Sequence, residues 1–388
     1  MTAAYRAGAV TVLDHRAMKI TAAVLDHVAA APFAASRPLR LAELDLAAPG
    51  PGELLLRIDA AGLCHSDLSV VNGDRVRPTP MALGHEATGI VVETGSPDSA
   101  FVPGDRVVLS FLPACGRCAD CGAGEGYLCA PAAAANGAGV LLGGGHRLHD
   151  HGADVFHHLG VSAFATHAVV DERSAVKVDK DIPPEIAALF GCAVLTGVGA
   201  VVNSAKVRPG ESVVVYGLGG VGLAALLGAL ASGAQPVIAV DPVAAKRDLA
   251  LELGAAAAVA PDEAAATVKA LTGRGADVAI ETAGRASVLA DAYKVTRRVG
   301  RTVTVGLPNP AEMLQIQAVS LVGDGKTLIG SYMGSAIPSR DIPRYIALWR
   351  AGRLPVERLL TSTGPLSGIN SALDELASGR AIRQILIP

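Results

Sequence analysis

A chain of 388 residues is longer than one hydrophobic core usually supports, so it is expected to divide into at least two compact bodies. With 51% hydrophobic and 18% charged residues it is not a disordered chain. A net charge of -3 without any run of Lys or Arg leaves no electrostatic footprint for nucleic acid or anionic lipid. The stretch from Ser212 to Val240 has no charged residue and is long enough to cross a bilayer, but glycines and Pro236 interrupt it. It reads as a buried strand, helix and strand.

In chain order, residues 1–17 read as an extension, because Asp14, His15 and Arg16 stand where a secretion signal would need an apolar run, and regular patterning begins at Lys19. From residue 18 to 193 short strands alternate with Gly and Pro turns, as in GELLLRIDA, TGIVVETG and GDRVVLS, which predicts a largely β body. Within it, Ala130 to Phe156 lacks periodicity and reads as a long irregular loop of the kind used for flaps and lids. Residues 194–333 change texture: SVVVYG, GVGLAALLGALASG, PVIAVD, AAKRDLALELG, ADVAIETAG and RTVTVGL alternate strand with helix and predict a doubly wound parallel sheet. In residues 334–388, amphipathic helices near IPRYIALWRAG and INSALDELASG precede a strand, RQILI, that can return to the first body.

All six cysteines fall in patterns suited to metal rather than to disulfides, which points to a reducing compartment and hence the cytoplasm. Cys115, Cys118, Cys121 and Cys129 form C-x2-C-x2-C-x7-C, four soft thiolates in one short loop, as a closed tetrahedral zinc requires. With no open coordination position that ion would be structural; an iron–sulfur cluster is the chemical rival, but nothing nearby has a ferredoxin spacing. Cys64, His85 and Cys192 offer two thiolates and one imidazole, which leaves a fourth position for water or substrate as in a catalytic zinc. Singly, each is more often a core residue. Asp67 is placed to accept the other N–H of His85, or else to cap a helix. Glu86 either tunes the metal from behind or is a solvated carboxylate.

Gly217-Leu218-Gly219-Gly220-Val221-Gly222 is a G-x-G-x-x-G that follows a strand and opens a helix. Such glycines let a pyrophosphate approach the helix N-terminus, where free N–H groups and the dipole favour an anion. Asp241, at the end of the next strand, is suited to bind ribose hydroxyls and repel a 2′-phosphate, so NAD is favoured over NADP. Its bland alternative is a helix N-cap ahead of Pro242 at the first helical position.

These constellations, in this order, resemble the zinc-containing medium-chain alcohol dehydrogenases. The likeness runs from Met18 to the C-terminus through GHE, the four-cysteine lobe, GC(x)3TG, GLGGVG and the closing AIRQIL. The resemblance implies an α/β protein, a GroES-like, largely β catalytic domain (18–193 with 334–388) around a Rossmann NAD-binding domain (194–333). It also implies two zinc ions per chain, NAD, a small-molecule alcohol or aldehyde substrate and a homodimer. It makes Cys64, His85 and Cys192 the catalytic zinc ligands, Ser66 the hydroxyl that takes the substrate proton, and Thr196 the neighbour of the nicotinamide. His65 and Arg383 match pyrophosphate-binding positions, Lys246 a ribose contact, Val305 a further cofactor contact and Phe111 a pocket aromatic. Many members carry a histidine where this chain has Ser69, so the outer proton relay is not carried over. The S-(hydroxymethyl)glutathione (formaldehyde) dehydrogenases carry an arginine shortly after the fourth lobe cysteine; APAAAANG has none, which ranks that substrate lower. A zinc-independent quinone or enone reductase is disfavoured by the three ligand candidates. A zinc scaffold that binds nucleic acid is disfavoured by the dinucleotide motif and the lack of basic surface. Arg75 and Arg77 read equally well as surface charges or as anchors for an acidic substrate.

Overall fold

The computed structural model describes residues 17–388; the expected extension at 1–17 lies almost wholly outside the described residues. Three sheets carry the architecture. A small closed barrel orders the strands Met18–Leu25, Leu39–Leu46, Leu148–Asp150, Ala153–His157 and Met81–Ala82. Beside it lies a seven-stranded sheet ordered Ala175–Val178, Arg106–Leu109, Glu86–Thr94, Glu53–Leu63, Arg383–Ile387, Leu360–Pro365, with His167–Asp171 also paired to Glu53–Leu63. The third sheet has six parallel strands, ordered Ala257–Val259, Val237–Val240, Val213–Tyr216, Ala276–Glu281, Thr296–Thr304, Thr327–Gly330.

Local sequence explains the third sheet. Val213–Tyr216 is buried along its whole length, as a β-branched run flanked by parallel partners on both sides must be. The uncharged stretch resolves into that strand, the helix Gly220–Ala231 and the strand Val237–Val240, as expected. No helix among the described residues is long and apolar enough to cross a membrane.

The closing strand does return to the first body. Arg383–Ile387 pairs antiparallel with Glu53–Leu63, with Gln384 opposite Leu63 and Ile385 opposite Gly62, while Glu86 faces Gly62 from the other side. Three segments distant in sequence thus converge at the end of one strand, one residue before Cys64. A single hydrophobic core continues from Val108 and Phe190 through Val194 and Val198 to Leu223, Val213 and Ile280, so the two bodies share packed side chains.

The segment from Ala130 to Phe156 is not an irregular lid. Ala130–Ala138 is a helix, with Pro131 in its first turn and Gly139 closing it at φ 71°, and the strands Leu148–Asp150 and Ala153–His157 form a hairpin in the barrel. The helix escaped the periodicity test because it is mostly alanine, favourable for helix but without an apolar stripe; Pro at the first turn and Gly at the C-terminus were the readable signals.

Candidate active site

Cys64, His85 and Cys192 come together from three places: the end of Glu53–Leu63, the turn before Glu86–Thr94, and the residue ahead of the helix Ala193–Gly199. Their ligand atoms lie within 4.8 Å of one another and all three are buried. His85 Nδ1 is 3.0 Å from Asp67 Oδ1, while its Nε2 is buried without any hydrogen-bond partner. An imidazole fixed on one nitrogen and orphaned on the other, beside two thiols, is the arrangement a metal ligand needs. The two thiols act on each other, so that Cys64 is held well below, and Cys192 well above, the ordinary thiol range.

Asp67 fulfils both of its readings. It sits at the third position of the helix His65–Val71, where its Oδ2 accepts from the Cys64 N–H at 3.0 Å as half of a capping box, and its Oδ1 serves His85. Burial works to raise its pKa, but the His85 and His158 imidazoles draw it down to about 2. Glu86 is not a solvated carboxylate. It is fully buried, neither oxygen has a hydrogen-bond donor, and its cationic neighbour is Arg383, whose Nη1 lies 3.3 Å from Oε2 and also donates to Leu63 O at 3.0 Å. Burial pushes Glu86 up to about 7 against the pull of Arg383. Gly62 makes this possible, because a Cβ there would stand 2.5 Å from Glu86 Oε1.

The four lobe sulfurs also lie within 4.8 Å of one another, with Cys115 4.0 Å from Cys121 and Cys118 4.0 Å from Cys129. Backbone N–H groups of Arg117 and Cys118 bring Cys115 down to about 6, whereas burial and the neighbouring sulfurs push Cys121 up to about 12. Four sulfurs this close are not all thiolates without a dication among them, so the donor set fits zinc.

At the glycine turn, Gly217 has φ +87° and Gly222 leaves no room for a side chain, since its Cβ would fall 1.7 Å from Gly217 O. Thr282 Oγ1 braces the turn by donating to Tyr216 O and Gly217 O, and Gly219 caps the helix with no side chain over its N–H groups. Gly220 abuts the Arg383 guanidinium, and the charges of Arg383 and Lys246 both bear on His65. Arg383 thus adjoins the turn. Asp241 closes it: Oδ2 accepts from Leu218 N at 2.7 Å and Oδ1 from Val243 N at 2.8 Å. Pro242 does not open the next helix, which begins at Ala244 after Val243, because Asp241 and Pro242 are spent on the turn.

Residues 50–180 match the alcohol dehydrogenase GroES-like domain family and residues 220–350 the zinc-binding dehydrogenase family. An NDMA-dependent alcohol dehydrogenase of Amycolatopsis methanolica is 40% identical over 379 residues, spanning 95% of this chain and 99% of that protein. A geraniol dehydrogenase of Castellaniella defragrans is 40% identical across 90% of this chain and 94% of its own. The crystal structure of benzyl alcohol dehydrogenase from Acinetobacter calcoaceticus superposes with a TM-score of 0.89 at 33% identity, covering 95% and 99% of the two chains. The chain belongs to the zinc-containing medium-chain alcohol dehydrogenase family. It is an oxidoreductase.

In this zinc-family dehydrogenase, Ser66 lies half-buried with its Oγ 3.9 Å from Cys64 Sγ, and Phe111 meets the His85 ring edge-on at 5.5 Å. Ser69 turns its hydroxyl into its own helix, donating to His65 O at 2.8 Å, so it takes no outward path. Thr196 lies one turn beyond Cys192, with Thr196 N donating to Cys192 O, and Val305 follows the strand Thr296–Thr304. Two residues that no sequence motif singles out also border the Cys64, His85 and Cys192 cluster. His158 is buried with Nδ1 3.3 Å from Asp67 Oδ1, and Tyr332 packs edge-on against Phe111 at 5.9 Å. Neither belongs to a recognisable motif, and only the fold brings them there.

Proposed function

We propose that the protein catalyses reversible hydride transfer between a primary or secondary alcohol and NAD, giving an aldehyde or ketone. The observation that carries the reading is the buried Cys64, His85 and Cys192 triad, three donors oriented by Asp67 in a chain that also carries the glycine turn. In this reading Cys64, His85 and Cys192 hold a catalytic zinc and Cys115, Cys118, Cys121 and Cys129 a structural one. Residues 18–193 with 334–388 form the catalytic body and 194–333 the cofactor body.

Zinc bound there supplies Lewis acidity that lowers the pKa of an alcohol oxygen, and NAD supplies the hydride acceptor. The protein's own part is to position and to move a proton. Ser66 accepts the alcohol proton at Oγ, beside Cys64. Phe111 walls the reacting carbon, and the bulk of the buried neighbours excludes water. Thr196 and Val305 flank the nicotinamide. His65, Lys246 and Arg383 neutralise pyrophosphate and contact ribose, the Gly217, Gly219, Gly220, Val221 and Gly222 turn offers its N–H groups, and Asp241 accepts from the adenosine ribose. Glu86 tunes the charge behind the ligands through Arg383. Six free cysteines accord with a reducing cytoplasm, and the family resemblance with a homodimer.

Nicotinamide reduction by the zinc-loaded protein against aliphatic, aromatic and allylic alcohols, with formaldehyde plus glutathione as the contrasting substrate, tests the reading. Turnover of simple alcohols with NAD is expected, and Cys64→Ser is expected to abolish it while NAD binding persists. A fully active Cys64→Ser enzyme sinks the assignment.

A further inference from the structure

We propose that His158 is a second positioning residue for His85: by sharing the carboxylate of Asp67 it fixes that carboxylate, and so fixes the direction in which His85 presents Nε2 to a metal. The proposal rests on the reading of Cys64, His85 and Cys192 as a zinc site, and it is read out in zinc retention, which needs no turnover.

The backbone carries His158 to this place. The strand Ala153–His157 runs parallel to Met81–Ala82, with His157 opposite Ala82. His158 is the first residue beyond the one strand, and His85 follows closely beyond the other. The two segments stay joined past their strands: His158 N donates to Ala82 O at 3.2 Å, Ala163 N to Gly84 O at 3.0 Å and Phe164 N to Leu83 O at 3.0 Å. The turn between them closes on itself, with Ser162 Oγ accepting from His158 N at 2.9 Å. It holds Leu159 at φ 52° and Ser162 at φ 50°, a left-handed backbone that residues with a side chain adopt only at a cost. Gly84 permits the close approach, since a Cβ there would collide with Phe164 N.

The side chain completes the arrangement. His158 is buried, and its Nδ1 lies 3.3 Å from Asp67 Oδ1, the same oxygen that serves His85 Nδ1 at 3.0 Å. The two rings stand edge-on with centroids 5.6 Å apart. The His158 contact is longer and less aligned than a full hydrogen bond, and Nδ1 makes no hydrogen bond to any other group. Its pull is that of an N–H dipole on a buried anion, which a low dielectric strengthens. A lone pair at Nδ1 would face the carboxylate and repel it, so Nδ1 carries the hydrogen. Asp67 Oδ2 is meanwhile held by Cys64 N at 3.0 Å. Rotation of the carboxylate is therefore opposed at both oxygens, at Oδ2 by the backbone and at Oδ1 by two imidazoles. Without His158, only His85 itself holds Oδ1. His157, the preceding residue, shows the contrast: its Nε2 is served by a backbone donor, Arg147 N at 3.0 Å, and it touches no ligand candidate.

The test follows zinc retained per chain under graded chelation in the wild type, His158→Asn and His158→Phe, with the equivalent lost in Cys64→Ser marking the buried triad. Asn can place an amide N–H where Nδ1 stands, whereas Phe keeps a ring beside His85 but has no N–H. Zinc at the triad should leave His158→Phe about 10-fold faster than the wild type, the lower end of the range for groups that orient metal ligands, and should leave His158→Asn nearly as slowly as the wild type. The visible spectrum of the cobalt-substituted protein, which follows ligand geometry, should shift in His158→Phe and return in His158→Asn. Retention and spectrum unchanged in His158→Phe, whatever its Tm, overturn the proposal and leave His158 a packing residue. Equal zinc loss from both variants also overturns it, because the N–H is then not what acts. If His158→Phe does not fold, the tautomer decides: nitrogen-15 NMR of the histidine-labelled wild type, assigned by difference from His158→Asn, is expected to place the hydrogen on Nδ1 of His158, and a hydrogen on Nε2 alone overturns the proposal. A wild type that holds no zinc at the triad defeats the metal-site reading itself, and the tautomer then decides separately whether His158 orients Asp67.

Discussion

Asp67 and His85 are joined Oδ1 to Nδ1 at 3.0 Å in a site from which both side chains exclude solvent. The contact fixes the tautomer that turns a lone pair on Nε2 toward the two thiols. Asp67→Asn keeps the size but loses the charge, and so should weaken zinc retention at the buried triad about 10–100-fold. Zinc content after graded chelation measures this. Retention equal to the wild type would mean that Asp67 matters only as a helix cap.

Asp241 has two tasks that a substitution separates. Its carboxylate holds Leu218 N and Val243 N, and so shapes the glycine turn, and its charge opposes a 2′-phosphate. Asp241→Asn retains an acceptor and removes the charge. The NADP to NAD ratio of kcat/KM should rise about tenfold, roughly 1.4 kcal/mol of relieved repulsion, with a small fall in Tm. An unchanged ratio would count against the ribose role.

The lobe predicts a divided outcome. Cys121→Ser removes a lobe sulfur 4.0 Å from Cys115 and leaves the Cys64 site untouched. Metal content should drop by one equivalent and proteolytic cleavage should rise between Cys115 and Cys129, because a structural zinc contributes folding energy directly. Cofactor affinity, set in the parallel sheet, should change less than twofold. One equivalent of metal in wild type and variant alike would show that the four sulfurs hold no ion.

How far the sequence reached follows from what each signal encodes. The lobe and the glycine turn are local: four sulfurs within fifteen residues and a six-residue turn after a Val run carry their geometry in their spacing. Cys64, His85 and Cys192 are 128 residues apart at the extremes; their donor types suggest a set, but each is a weak signal alone and the family resemblance is what strengthens it, while the structure joins their ligand atoms. Arg383 beside Glu86 depends on the C-terminal strand pairing with Glu53–Leu63, a long-range choice that no window of sequence contains. His158 and Tyr332 had no pattern at all. The Ala130–Ala138 helix was missed for the opposite reason, since its local signals were present but carried no amphipathic stripe.

His157 makes acid stability a test of the barrel. It is 1% exposed, its Nε2 accepts from Arg147 N at 3.0 Å, and its ring stacks on that of His146 at 6.4 Å. Burial, with the charges of His146 and Arg147 adding, holds its pKa down to about 3 from 6.5. The folded protein therefore keeps His157 neutral over a range where the unfolded chain takes up a proton. Stability is whole above pH 6.5 and is lost progressively as the pH falls from 6.5 toward 3. At pH 5 the difference amounts to about 2 kcal/mol from this residue. His157→Gln supplies an acceptor for Arg147 N but does not titrate. Denaturant unfolding at pH 7.5 and pH 5 should show the wild type losing about 2 kcal/mol more than the variant between the two conditions. Parallel losses would mean that His157 protonates in the folded state, which requires water to reach its buried Nδ1.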